Sequence, residues 1–205
     1  MILLRYCLGV GAVVLGVAAL ALAHDIRMWD TAVGRGDARY ALEARDARWT
    51  AGTWLPRGLG ATTLAINDDL AIRGAEQRFG IALATPRGFD NGRHRAQLRG
   101  EAYLELSNVV ATGTRAQASR AGNLLGILAA TDDSGSDAAA AERLAAETFD
   151  SAIRADATNT DAKVNLELLL RRIRVVGERD GGGTGAGDLG DSLAGAGSGK
   201  PGSGY

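Results

Sequence analysis

The chain has 205 residues, 23 Lys and Arg against 24 Asp and Glu, a net charge near −1, 46% hydrophobic residues and one cysteine. Arginines interspersed among acids form no basic patch for a phosphate backbone, so nucleic acid is not an expected partner. A lone cysteine gives no disulfide framework, and a body rich in Ala, Leu, Arg and Glu with few period-two apolar runs predicts an all-α fold held by packing.

Residues 6–23 carry no charge, and a helix of that length spans roughly 27 Å, enough to cross a hydrocarbon core. Residues 1–24 are therefore expected to be a transmembrane signal anchor. Arg5 precedes the run, whereas Asp25 and Asp30 offset Arg27 after it, which predicts a single pass through the cell membrane, N-terminus cytoplasmic and the bulk of the chain extracytoplasmic. Ala21-Leu22-Ala23 before His24 also fits a cleaved signal peptide. The apolar run exceeds the usual length of such a signal, and Met28 and Trp29 suit an interfacial belt, so the uncleaved anchor is favoured. Ala12 and Gly16 form one small-xxx-small pair able to seat a second membrane helix, although glycines are common in membrane helices anyway.

Residues 25–66 read as a juxtamembrane helix and a collar. Ile26, Trp29, Val33 and Tyr40 recur at near-helical spacing over 25–45, weakened by Gly34 and Gly36. Pro56 and three glycines within 49–60 forbid regular helix, while Trp49, Trp54 and Leu55 add apolar bulk. This loop should fold back onto the domain as core cover, or meet lipid or a partner, which makes Trp49 and Trp54 candidate partner-binding residues.

Residues 67–176 predict five helices, over 67–84, 93–111, 115–131, 138–154 and 160–176. Asn67 with Asp68 and Asp69 marks the first start, and Pro86–Gly92 is a turn cluster. The aspartates of Thr131–Asp137 lack the turn glycine and terminal glutamate of an EF-hand loop, so the segment reads as an N-capping loop. On the last helix Ala162, Leu166, Leu169, Ile173 and Val176 form a seam, and Val164, Leu168, Leu170 and Val175 a second apolar flank. So apolar a helix needs cover on two sides, from returning N-terminal helices of the domain or from a partner; Arg171, Arg172 and Arg174 also permit a membrane surface. From residue 177 to 205 the chain is Gly, Ser, Ala and Asp with almost no bulk, and a disordered tail is expected.

Within 145–166, Ala145 and Ala152 bracket Phe149 at spacings of four and three, so two small residues and one ring share a helical face. An Asp-Ala-Thr-Asn turn and a further helix follow. The stretch resembles the second half of a tetratricopeptide (TPR) repeat, with Ala157 where the repeat carries proline; Gly100 with Tyr103, and Leu125-Gly126, resemble the small-aromatic and Leu-Gly pairs of its first helix. If Leu125-Gly126 and Phe149 share one repeat, its hairpin loop is about seven residues longer than the standard 34-residue unit. With the anchor, the collar and the tail, the chain resembles the small TPR-containing membrane proteins of bacterial clusters that carry MoxR-type ATPases and von Willebrand factor A proteins, the Bat type.

That resemblance implies a TPR-like helical-hairpin domain in which Ala145, Phe149, Ala152 and Leu166 are repeat-packing residues. It implies a non-enzymatic adaptor for other membrane or exported proteins, acting in assembly or maturation of the bacterial cell envelope. Asn165 falls where peptide-binding members use asparagine to hold a ligand, and with Leu168 and Arg172 it makes up the candidate partner-binding set on the last helix. The alternative is a structural accessory subunit of a larger membrane complex. An envelope hydrolase would need a pocket of paired acidic or nucleophilic groups.

Catalytic signatures are not found in the sequence. His24 and His94 lie far apart without cysteine neighbours, which gives no zinc spacing, and no nucleophile elbow or phosphate-binding loop occurs. Glu101 and Glu105, one turn apart on an arginine-rich helix, read as salt-bridge partners. No catalytic residue, metal or cofactor is assigned.

Overall fold

The computed structural model describes residues 2–55, 66–86, 92–132 and 137–180. Among the described residues the chain is all-helical, with no strand: α1 (Ile2–Leu42), a 3₁₀ turn (Ala44–Asp46), α2 (Ile66–Ala84), α3 (Gly92–Thr112), α4 (Arg115–Ala130), α5 (Ala138–Ala155) and α6 (Thr160–Asp180).

The anchor and the juxtamembrane helix are one continuous helix. Its 41 residues make a rod of about 62 Å. Over the first half, Leu8, Val13, Leu15 and Leu20 are 66–72% exposed, and the helix is long and apolar enough to cross a membrane. Gly34 and Gly36 do not interrupt it. Of the expected Ile26-Trp29-Val33-Tyr40 set, Trp29, Val33 and Tyr40 are half-buried and Ile26 is exposed, while the fully buried positions beside them are Asp25, Ala32 and Gly36. Spacings of four, three and four put these on one stripe, where the small side chains let the collar lie close.

From α3 onward each helix packs on the one before it, and α2 also meets α4 while α4 meets α6. Alternate helices thus form a continuous layer of α2, α4 and α6, with α3 and α5 laid against it. Two apolar clusters hold the stack. The first joins Ile72, Ala75 and Ala82 to Ala102, Leu106, Val109, Ala121 and Leu128, flanked by Phe79, Leu98, Leu124 and Leu125. The second joins Ala145, Phe149 and Leu169, flanked by Ile127, Leu166 and Ile173. Helix α4 serves both, so it is apolar or small on two faces. Burying these side chains stabilises each by about 1.5–3 kcal/mol, less for the alanines.

Local signals set the boundaries. Thr114 and Gln117 form a capping box at the start of α4, and Asp137 accepts from the Ala139 amide at 3.0 Å to start α5. Asp156 accepts from the Thr158 amide and hydroxyl, shaping the α5–α6 turn without a proline, and Asn159 caps α6 through the Ala162 amide. These hydrogen bonds, the hydroxyl's foremost, hold the exposed Asp156 carboxyl below its usual range. Helix α2 starts at Ile66, so Asn67 lies inside its first turn instead of capping it. Helix α6 runs on to Asp180, past the expected start of the tail, because Glu178, Arg179 and Asp180 tolerate helix and Gly177 alone costs about 1 kcal/mol. Residues 87–91 of the Pro86–Gly92 turn, residues 56–60 of the collar, part of Thr131–Asp137 and the tail beyond 180 lie outside the described residues.

One expectation fails in the stack. No N-terminal helix returns over α6, which among the described helices meets α4 and α5. Ala162 and Leu169 are buried, but Val164, Leu168, Leu170, Val175 and Val176 are 42–56% exposed, so even the end of the expected seam faces outward. The physical reason is packing order: α2 and α3 bury Ile72, Ala75, Ala82, Ala102, Leu106 and Val109 in the first cluster with α4, on the side of α4 away from the second cluster that α6 joins.

Candidate functional site

The site forms where α5 approaches α4. A Cβ built at Gly126 would stand 2.5 Å from the Phe149 ring, and one at Gly122 would stand 3.1 Å from the Ala152 Cβ, so both glycines are seats for the facing helix. Ala145, Phe149 and Ala152 are buried and Leu166 half-buried, all facing this contact or α6 as the small-aromatic-small spacing requires. Polar groups tie the same face. Ser119 donates to the Ala152 carbonyl at 2.7 Å, Asn159 donates to the Ser119 hydroxyl at 2.9 Å, and Asn165 donates to the Asn123 side-chain oxygen at 2.8 Å. Buried Ser119 and Asn123 therefore have partners, as desolvated polar groups must.

Between α4 and α6, with Phe149 at its base, lies an open groove of about 260 Å³ lined by Ile127, Ala130, Asn165, Leu168, Leu169 and Arg172. Three sequence-predicted residues, Asn165, Leu168 and Arg172, meet here. Leu168 is 56% exposed. Arg172 donates to the Ala130 carbonyl at 3.4 and 3.5 Å and stands 3.3 Å from a Glu142 oxygen, so its guanidinium is held at the rim with donors to spare. The groove is an apolar slot bordered by one amide and one cation. It suits an apolar side chain next to a hydrogen-bond acceptor.

A second cavity, of about 390 Å³, was not legible in the sequence. It lies where α1 meets α2 and α4, lined by Asp37, Tyr40, Trp49, Asp69, Ile72, Arg73, Glu76, Gln117 and Arg120 among others. Arg73 bonds Asp37 at 2.9 Å and Asp69 at 3.1 Å, Arg120 pairs with Glu76, and the Tyr40 hydroxyl donates to the Glu76 carbonyl at 3.1 Å. Burial pushes the Glu76 carboxyl above its usual range, against the pull of Arg120 and Arg73, and the Asp37 hydrogen bond raises Arg73 further. Every carboxylate lining this cavity has a guanidinium partner, so the network couples helices and presents no unpaired acid to a substrate.

The two collar tryptophans part company. Trp49 packs against Gly36, whose added Cβ would meet its ring at 2.3 Å, and donates to Asp37 at 2.8 Å. Gln77 bonds the Ala44 and Ala47 carbonyls at 2.6 and 3.0 Å, holding the start of the collar on α2. Trp54 is 70% exposed, stacked on His24 at 4.0 Å, while the buried Asp25 carboxylate accepts from the Trp54 and Leu55 amides at 2.8 and 3.2 Å. Sequence reasoning missed Asp25, whose only signal was an acid directly after an uncharged run. Glu101 and Glu105 both bond Arg78, at 2.6 and 3.4 Å. Among the described residues no three His, Cys, Asp or Glu side chains converge as metal donors.

Protein-family models, curated proteins and solved structures were all compared with this chain, and none matches.

Proposed function

We propose that this protein is a single-pass membrane protein whose extracytoplasmic part is a TPR-like adaptor, holding other membrane or exported proteins during assembly or maturation of the bacterial envelope. The observation that carries the reading is the open α4–α6 groove, with the exposed apolar flank of α6 running away from it. A flank of this kind, which no other described helix covers, is a surface suited to a partner. The small-aromatic-small packing of Phe149 between Gly126 and Ala152 supports the TPR-like description, as does the alternating layer of α2, α4 and α6. The N-terminus is cytoplasmic in this reading, from the charge bias around residues 6–23. The paired state of the acids in the larger cavity favours a binding protein over a hydrolase.

A photocrosslinking residue at Leu168 tests this reading in cells. Discrete adducts with exported or membrane proteins are expected, lost when Asn165 and Arg172 are both changed to Ala. Uniform weak labelling at Leu168 and at an outward control such as Ser151 would end it. The second reading, an accessory subunit of a stable complex, draws on the Ala12 and Gly16 pair, where a Cβ added at Gly16 meets nothing within 4 Å, and on the exposed apolar flank of α6. A stoichiometric complex that survives washing in mild detergent would favour it.

A further inference from the structure

The collar reaches the point where α1 stops being apolar. Trp49 sits on Gly36 and the Trp54 amide sits on Asp25, so the segment between them covers eleven helical steps of α1, about 16 Å. The segment is therefore a strap fastened at both ends of the Asp25-Trp29-Ala32-Gly36 stripe, directed back toward the uncharged run of α1. Its far end is fastened to a carboxylate with no exposed surface. Asp25 is two residues beyond Ala23, the last residue of the uncharged run, and burial on α1 already begins at Ala21 and Leu22. Two amide donors supply the hydrogen bonds that a buried carboxyl group requires.

Trp54 stacks on His24 and leaves most of its surface open, level with the end of the uncharged run of α1, whose residues from Leu8 to Leu20 are exposed. An amphipathic ring at that height is the residue type that partitions to the boundary between acyl chains and headgroups. We infer that the tip of this strap, Trp54 supported by His24 and Asp25, is a lipid-interface contact that inserts at the headgroup level of the outer leaflet. It sets the height and tilt of the helical domain above the bilayer. The occupant is the phospholipid interface, because the open ring continues the apolar band of α1 instead of the α4–α6 groove. The inference rests on α1 spanning the membrane.

Tryptophan quenching in the full chain, reconstituted in phosphatidylcholine–phosphatidylglycerol nanodiscs, tests it. The difference between the natural chain and Trp54→Phe isolates Trp54. A spin label near the headgroup is expected to quench it at least about two-fold more than a label deep in the acyl chains, with little effect of aqueous iodide. Asp25→Ala unfastens the strap and should weaken quenching by the headgroup label while raising quenching by iodide. Leu15→Trp in the Trp54→Phe background reports on the anchor and should respond to the deep label. If Leu15→Trp is deep but Trp54 responds only to iodide, the lipid contact is overturned and Trp54 faces water. If Leu15→Trp escapes the deep label, the spanning reading falls and takes the contact with it.

Discussion

The two ends of the described chain are joined to its middle by opposite means. At the C-terminal end, α5 and α6 are held to α4 by apolar shape: Phe149 on Gly126, Ala152 on Gly122, Leu169 beneath. At the N-terminal end, α1 and its strap are held mainly by directed polar contacts, Asp25 to two amides, Asp37 to Trp49 and Arg73, and Gln77 to two carbonyls. Shape packing excludes water and contributes to global stability, whereas partly exposed hydrogen bonds each add only about 0.5–1.5 kcal/mol and act chiefly as positional constraints. The first kind of joint builds the domain. The second fixes where the domain sits on its helix.

Removing Phe149 should break the comparison at its strongest point. Phe149→Ala empties a site with 2% exposure between three helices, and is expected to cost about 3–5 kcal/mol, read as a fall in the thermal midpoint of the domain. A smaller loss would mean that α4, α5 and α6 can collapse onto the cavity.

The same substitution made at both joints sharpens it. Gly126→Ala places a methyl group inside contact distance of a ring that cannot swing, so overpacking of about 1–3 kcal/mol should outweigh the roughly 1 kcal/mol gained in helix propensity. Gly36→Ala collides as severely with Trp49, yet that ring is half-buried on a strap and can lift away. Global stability should then stay within about 1 kcal/mol of the natural chain, while Trp49 emission shifts to the red and exchange of the Trp54 and Leu55 amides accelerates. Equal loss of stability in both variants would erase the distinction drawn between the joints.

That distinction also explains what the sequence disclosed. Helix-to-helix packing leaves a periodic trace, so Ala145, Phe149 and Ala152 announced their shared face, and the five helices of the domain lie within a few residues of their expected bounds. The groove was partly legible, since Asn165, Leu168 and Arg172 share one face of one helix; Ile127 and Ala130 come from α4, and no local pattern couples them. The strap left almost no trace. Asp25, Ala32 and Gly36 are a poor helical face by hydrophobicity, and they are buried because an extended chain segment lies on them. Arg73 with Asp37 and Arg120 with Glu76 are tertiary pairs whose sequence spacing carries no signal.

A cycle on the asparagine pair probes the boundary between stability and function. Asn165→Ala leaves the Asn123 amide buried without its partner, a cost of about 1–3 kcal/mol, whereas the double change with Asn123→Ala should cost less than the sum of the singles. Strict additivity, measured by denaturant unfolding, would mean that the pair is not coupled and that Asn165 is free to serve a ligand.

The smallest effect concerns Glu76, where two forces of opposite sign meet. Burial raises its carboxyl and Arg120 lowers it, with burial the larger. The folded protein therefore holds this proton more tightly than the unfolded chain. Stability from this group is complete below the ordinary carboxylate range and falls as pH rises through the raised folded value. Glu76→Gln imitates the protonated form and removes that slope. The variant should melt slightly above the natural chain at pH 7, with the difference fading toward pH 4; Arg120, 67% exposed, loses little when its partner goes. A natural chain that melts higher than Glu76→Gln at neutral pH would show the ion pair outweighing burial, and would make the joint between α2 and α4 an electrostatic one after all.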